Sequence, residues 1–414
     1  MRTALDVRVP AGQWGGIQQM VEGLARGLSD LDGDDEFLFI GFEDAAMWLD
    51  PLLGGSCRRV EVGRAHGSSW RRRAYDSVTS RLPGARHLAA VAGQRMGRLS
   101  TPIPGSDGFL ESLGVDAVHF VTPQAYRTQV PSVYQVMDLL QDHLPYFFSP
   151  FHRRYRQVTY RAFSDQAALI STMTNWTRSD IAERLEQPAS KIAVVPLPPA
   201  VTPETTLPKA PTGLENLADR FLLYPAQTWP HKNHLALVDA MGFLRDQGSD
   251  VDLVCTGRLT EHHPVIARRV EQLGLGPHVR FLGYVEQSEL AWLYRNASAL
   301  VFPSLFEGWG IPIVEAMAWS LPVACSDIPV LDEVAGSAAL RFEPRDSTTI
   351  AAAIGRITAD AALRRTLIAA GRARLEPLTW DRIARTFRAL YRRAAGQRPT
   401  LEDAAYLMPP TLQL

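Results

Sequence analysis

Lysine is almost missing from this chain. Of 43 basic residues, only Lys191, Lys209 and Lys232 are lysines. A sequence so biased toward the planar guanidinium singles out each position that keeps a compact ammonium charge. Cysteine is scarce as well. Cys57, Cys255 and Cys325 are scattered and odd in number, which excludes a disulfide framework and a Cys/His metal site and fits reduced thiols. No apolar run approaches the roughly 20 residues of a membrane-spanning helix. The opening, Met1 to Val7, enters a strand-like run with no signal-peptide core. Cytoplasmic placement is the expectation, with the sequons at Asn175 and Asn296 as chance matches. The net charge of −1 excludes a general polyanion binder, so no nucleic acid partner is expected. Acids are lacking locally. Between Arg64 and Arg98, Asp76 alone stands against Arg71, Arg72, Arg73, Arg81, Arg86 and Arg95. This basic insertion, residues 64–108, reads as a solvated segment or as a surface meeting anionic lipid, at the inner face of a membrane, or an anionic acceptor.

What is present is a globular α/β pattern. The 414 residues are 46% hydrophobic and 21% charged, enough for two or three domains. Strand-like runs at Ala4–Val9, Glu36–Phe42, Ala117–Val121, Val133–Met137, Ala167–Ser171 and Ile192–Val195 alternate with helical periodicity, as at Ile17, Met20, Val21, Leu24 and Leu28. Six prolines between Pro196 and Pro211 forbid a helix or a central strand and mark a linker. The rhythm then restarts, with strands at Phe221–Tyr224, Leu253–Cys255, Val279–Leu282, Ala299–Phe302 and Val323–Cys325. Two doubly wound, Rossmann-like domains facing a cleft are expected. The boundaries read as residues 1–195, a linker at 196–218, a second domain at 219–378, an amphipathic terminal helix at 379–393 and a loose tail at 394–414.

Chemistry concentrates after the strand Ala299–Phe302. Gly308 and Gly310 let backbone N–H groups approach a ligand, Pro312 suits a first helical turn, and the helix start favours an anion such as a diphosphate. Glu307 and Glu315 can accept hydrogen bonds from sugar hydroxyls, though an acid here also complements the helix dipole. A second segment, Gln227 to His234, follows the first strand of the second half. Its Lys232 opposes a helix dipole, which suggests a shared anion.

The Glu307–Glu315 stretch resembles the E-x7-E motif of the retaining glycosyltransferases of family 4, which have the GT-B fold. The resemblance implies that Glu307 lies beside the transferred sugar, that Glu315 holds the ribose, and that amides of Gly308, Trp309, Gly310 and Ile311 contact sugar or phosphate. It gives Lys232 the donor diphosphate, with Gln227 and His231 where many members carry an Arg. It also implies a base cradle after Gly283, at Tyr284 and Val285; Gly257 and Arg258, after another strand of the second half, are read as donor-binding. A terminal helix that returns to the N-terminal, acceptor-side domain is implied as well. In that domain Gly15 and Gly16, in the first βα turn, are placed to meet the diphosphate. The run from Asp138 to Ser149 resembles another family stretch, with Asp138 as candidate acceptor base. Met137 stands where the family has His, so donor selectivity differs, His143 compensates, or activity is weak.

Two DxD matches, Asp32–Asp34 and Asp250–Asp252, precede strands, so each lies at the amino end of a sheet and reads as a turn. The expectation is therefore no cofactor and no metal. The co-substrate would be a GDP-, UDP- or dTDP-linked sugar, and the acceptor a glycan or lipid-linked hydroxyl in glycan, polysaccharide or glycolipid assembly. The transferred group would be a hexosyl, mannosyl among the candidates. The competing readings are a catalytically weak or inactive GT-B sugar-nucleotide-binding protein and a sugar-nucleotide epimerase.

Overall fold

A computed structural model describes residues 1–8, 15–42, 46–63, 103–215, 217–218 and 220–407. Most of the basic insertion, and Val9, Gly12, Gln13 and Trp14, lie outside the described residues. The chain divides into two compact units. Among the described residues, one contains 1–172, 178–193 and 384–407; the other contains 173–177 and 194–383.

Among the described residues the first unit is built on seven strands: β1 (Arg2–Asp6), β2 (Glu36–Phe42), β3 (Cys57–Val62), β4 (Ala117–Phe120), β5 (Ser132–Gln135), β6 (Leu169–Thr172) and β7 (Ile192–Val194). Their order is β3-β2-β1-β4-β5-β6-β7. Helix α1 (Gly16–Ser29) buries Met20, Val21, Leu24 and Leu28, as its apolar stripe requires. Two longer helices follow, α2 (Pro150–Gln166) and α3 (Asn175–Arg184, in this unit from Arg178). Tyr134, Phe120, Ile170, Tyr160 and Phe163 form part of the core.

The second unit has six parallel strands: β8 (Phe221–Pro225), β9 (Asp252–Thr256), β10 (Val279–Phe281), β11 (Ala299–Phe302), β12 (Val323–Ser326) and β13 (Ala339–Phe342). Their order is β10-β9-β8-β11-β12-β13. Helices α4 (His234–Asp246), α5 (His263–Gln272), α6 (Gln287–Asn296), α7 (Ile311–Ala318), α8 (Pro329–Ala335), α9 (Ser347–Ala359) and α10 (Ala361–Leu375) connect or follow the strands. The central strands β8, β9, β11 and β12 are buried along nearly their whole length, as parallel strands covered on both faces must be. In each sheet the strand order reverses once, between β1 and β4 and between β8 and β11. Doubly wound folds bind ligands at such a point, beyond the carboxyl ends of the strands.

The proline-rich stretch packs onto the second unit. The indole of Trp309 donates to Leu197 O at 3.1 Å, Trp380 to Pro199 O at 3.1 Å and Trp319 to Val201 O at 3.0 Å. Proline removes N–H groups but not carbonyls, so a run that cannot join a ladder can still satisfy buried indoles. The last long helix, α11 (Trp380–Ala394), starts in the second unit and from Ala384 belongs to the first. There Tyr391 Oη meets His119 Nδ1 at 2.8 Å, and Phe387 stacks on the His119 ring at 4.9 Å.

The tail departs from expectation. Leu401–Tyr406 is a helix, α12, opened by a capping box of Thr400 and Asp403. Arg392 pairs with both Asp35 and Asp403, and Asp403 is buried. A hydrophobicity pattern misses this segment because charge pairs, not apolar area, hold it.

Candidate functional site

The carboxyl ends of β8 and β11 are neighbours, and the loops leaving them are stitched together. Leu305 N donates to His231 O at 2.8 Å. Asn233 Nδ2 donates to Pro303 O at 3.0 Å and to Pro344 O at 2.6 Å. Asn233 sits at φ 60° as the cap of α4, a left-handed conformation that Asn tolerates better than most side chains. The stitching brings Lys232 and Glu307 together across 75 residues, with Nζ–Oε1 2.5 Å. Their side chains are 19% and 11% exposed. Lys232 Nζ also lies 5.7 Å from the Phe302 ring centroid, a cation–π distance.

Beyond Glu307 the chain turns into α7. Gly310 caps the helix at φ 114°, and a Cβ there would meet Leu331 at 3.1 Å. Among the described residues no protein acceptor engages the backbone N–H groups of Gly308, Trp309 or Gly310. Three adjacent N–H groups without a protein acceptor at a helix start, near an ammonium, are a pattern that can meet an anion. Trp309 itself is buried and donates its indole N–H to Leu197 O. Ile311 and Pro312 form the first helical residues.

Glu315 lies inside. It is 1% exposed; Tyr294 Oη donates to Oε2 at 2.8 Å and Val201 N to Oε1 at 3.3 Å. Burial, then the Glu315 carboxylate, holds the Tyr294 phenol well above its usual range, so it stays a donor. A ribose hydroxyl reaching Glu315 would share its carboxylate with these donors.

The loop after β9 lies beside the loop after β8. Gly257 has φ 111°, and a Cβ would fall 2.8 Å from the Ala226 carbonyl carbon, so only glycine fits. Gly257 N donates to Gly283 O at 2.7 Å, and Thr228 N to Arg258 O at 3.2 Å. Exposed Arg258 stacks on Trp229 at 5.8 Å, and the Trp229 indole donates to Gln227 Oε1 at 2.9 Å. Tyr284 is exposed and Val285 half-buried after β10. Beneath this rim His234 is buried against Tyr224, centroids 4.6 Å apart. Burial, then the Lys232 charge, drives it down to about 3, so it is neutral at physiological pH.

In the first unit Gly15, at φ 46°, caps α1, and Gly15 and Gly16 are exposed. Asp138 Oδ1 accepts from Leu140 N at 2.9 Å, an Asx turn that opens the short helix Leu140–His143. His143 Nε2 meets Asp180 Oδ2 at 2.8 Å, and Arg184 Nε donates to Asp180 Oδ1 at 2.6 Å. One ring nitrogen of His143 is thus committed to Asp180. Sequence reasoning missed Asn233, Asp180 and Tyr294. Only Asn233 left a trace, as an Asn directly before a helical pattern; the other two act across 21 and 37 residues. The two DxD motifs lie at the amino ends of β2 and β9, where Asp252 binds Ala218 N and His278. Among the described residues no cluster of three or more His, Cys, Asp or Glu could hold a metal ion.

Residues 210–374 match the family model of glycosyl transferases group 1. The chain is 30% identical over 236 residues to the O-antigen chain mannosyltransferase B of Escherichia coli, covering 55% of this chain and 61% of that protein. The match therefore spans less than two thirds of that relative's length. Among solved structures, sucrose-phosphate synthase from Thermosynechococcus elongatus superposes with TM-score 0.68 at 20% identity, over 95% of this chain and 98% of that one. Anabaena Alr3699/HepE, in complex with UDP and glucose, gives 0.65 at 16% identity, over 94% and 99%. No helix among the described residues is long and apolar enough to cross a membrane. The chain has the GT-B fold, and residues 210–374 are a glycosyl transferases group 1 domain.

Proposed function

We propose that the protein transfers a hexosyl group, mannosyl first among the candidates, from a nucleoside-diphosphate sugar to a hydroxyl of a glycan or lipid-linked acceptor, with retention of configuration. The observation that carries this reading is the Lys232–Glu307 pair beside the free N–H groups of Gly308–Gly310, at the strand-order reversal of the second sheet. The similarity to a mannosyltransferase supports the choice of sugar.

In this reading Lys232 and the amides neutralise the charge that develops on the leaving diphosphate. Glu307 accepts hydrogen bonds from the hexose. Gln227, His231, Gly257, Arg258, Tyr284 and Val285 line the nucleotide side. Glu315 takes the ribose diol in exchange for the Val201 N–H contact at 3.3 Å. Retention follows from front-face attack assisted by the leaving phosphate. On the acceptor side, in the first unit, Asp138 is the base, His143 is held ready by Asp180, and Gly15 and Gly16 offer amides to phosphate.

The test is a transfer assay against GDP-, UDP- and dTDP-linked hexoses, with the product anomer read by NMR. Glu307→Ala should cut turnover by about 100-fold or more, in the range of a lost electrostatic group, with the thermal midpoint little changed. Unaltered turnover, or an inverted product, would sink the respective half of the proposal. Donor binding without transfer or hydrolysis by any acceptor would favour the non-catalytic reading.

A further inference from the structure

The first unit holds large apolar groups in water around the start of α2. Tyr146 is 65% and Phe151 63% exposed. The Tyr146 and Phe147 rings meet edge-on at 4.6 Å in the single turn Pro145–Phe147, and the Arg156 guanidinium covers Phe148 at 5.0 Å. The segment is fixed in place. Ser149 caps α2 by accepting from His152 N at 3.2 Å, with Pro150 in the first turn. The residues Phe151, His152, Arg153 and Arg154 are all exposed, so the first turn of the helix stands clear of the body.

Charge here has one sign. No acid occurs between Asp142 and Asp165. Arg161 is neutralised by Glu186, whereas no ion pair among the described residues engages Arg153 or Arg154. The fold does not use these rings, and the proposed donor site lies in the other unit. Exposed aromatics interleaved with unpaired guanidiniums match the headgroup layer of an anionic bilayer, where rings settle at the interface and cations meet lipid phosphates.

We propose that the surface from Tyr146 to Arg154 docks the protein on an anionic bilayer. Charge complementarity selects this occupant: a continuous, laterally fluid anionic surface can meet both arginines and both rings without a specific acidic partner. The inference does not rest on the glycosyl-transfer reading, since it concerns binding alone.

The test is co-sedimentation of the full chain with vesicles of neutral phosphatidylcholine, with or without about 30% phosphatidylglycerol. Binding is expected only to the anionic vesicles. Arg153→Gln with Arg154→Gln should weaken it about 30-fold, at roughly tenfold per 1.4 kcal/mol and ~1 kcal/mol per basic residue. Tyr146→Ser with Phe151→Ser should weaken it about tenfold or more through lost apolar burial. Each pair is a surface change, and a thermal melt checks that it folds; either folded pair suffices. Equal binding to neutral and anionic vesicles, no vesicle binding, or wild-type binding by both variants overturns the proposal, the last placing the contact elsewhere in the chain.

Discussion

In the proposed reading, Glu307 and the donor diphosphate compete for one positive charge. In the free protein Lys232 Nζ is bonded to Glu307, and an incoming diphosphate must share it. Replacing Glu307 by Gln keeps a hydrogen-bond acceptor of the same shape but removes the competing charge. Two unit charges about 4 Å apart interact by about 4 kcal/mol at an effective dielectric of 20. The pair is 19% and 11% exposed, and water screens part of that energy. We therefore expect Glu307→Gln to bind the nucleoside diphosphate about 1–2 kcal/mol more tightly, roughly 5- to 30-fold. Turnover should move the other way, falling about 100-fold, because the same carboxylate no longer serves the sugar. The assay is calorimetric titration with the best-binding of GDP, UDP and dTDP, alongside steady-state transfer. Lys232→Met should weaken the same binding at least tenfold. If Glu307→Gln binds the nucleotide no more tightly than the unaltered protein, the shared-charge argument is wrong.

Other expectations follow from the same geometry. Gly257→Ala should destabilise the protein by about 2 kcal/mol or more in urea unfolding, because it adds left-handed strain and a contact with the Ala226 backbone; a cost below about 0.5 kcal/mol would contradict the packing. His119 and His234 are each buried and pushed down to about 3, by burial first, from an unfolded value near 6.5. The unfolded state binds more protons in that window, so their contribution is complete above about pH 6.5 and is lost as pH falls toward 3, at about 1.4 kcal/mol per pH unit for each histidine. Denaturant titrations at pH 7, 6 and 5 check this, with His234→Gln expected to flatten the slope. Transfer in excess chelator should match transfer in Mg²⁺, since Lys232 and the amides of Gly308–Gly310 supply the neutralising charge; activity that disappears and returns with Mg²⁺ would refute that.

Local patterns carried much of the architecture. Strands such as Glu36–Phe42 and Ala299–Phe302 stand where apolar runs place them, and α11 begins at Trp380 as its amphipathic face requires. Of the elements that stayed hidden, two show why. The edge strand β3 carries Arg58, Arg59 and Glu61, the charges that blunt a sheet edge and also disguise it. Helix α2 opens with an exposed aromatic and basic turn, so its apolar stripe emerges only further along, at Tyr160 and Phe163.

For the site, the sequence alone determined the turn chemistry: glycines where φ is positive, Pro312 in a first helical turn, a lone lysine before a helix, and Glu307 after a buried strand. These are local properties, set by sterics and hydrogen bonding within a few residues. Which groups meet was decided by the tertiary structure. Parallel strand order makes β8 and β11 neighbours and so joins Lys232 to Glu307. The buried linker and Tyr294 draw Glu315 inward, Asp180 claims His143, and paired arginines hold a tail that composition leaves loose. Each is an interaction between residues far apart in sequence, and its energy depends on distances that only the folded chain sets.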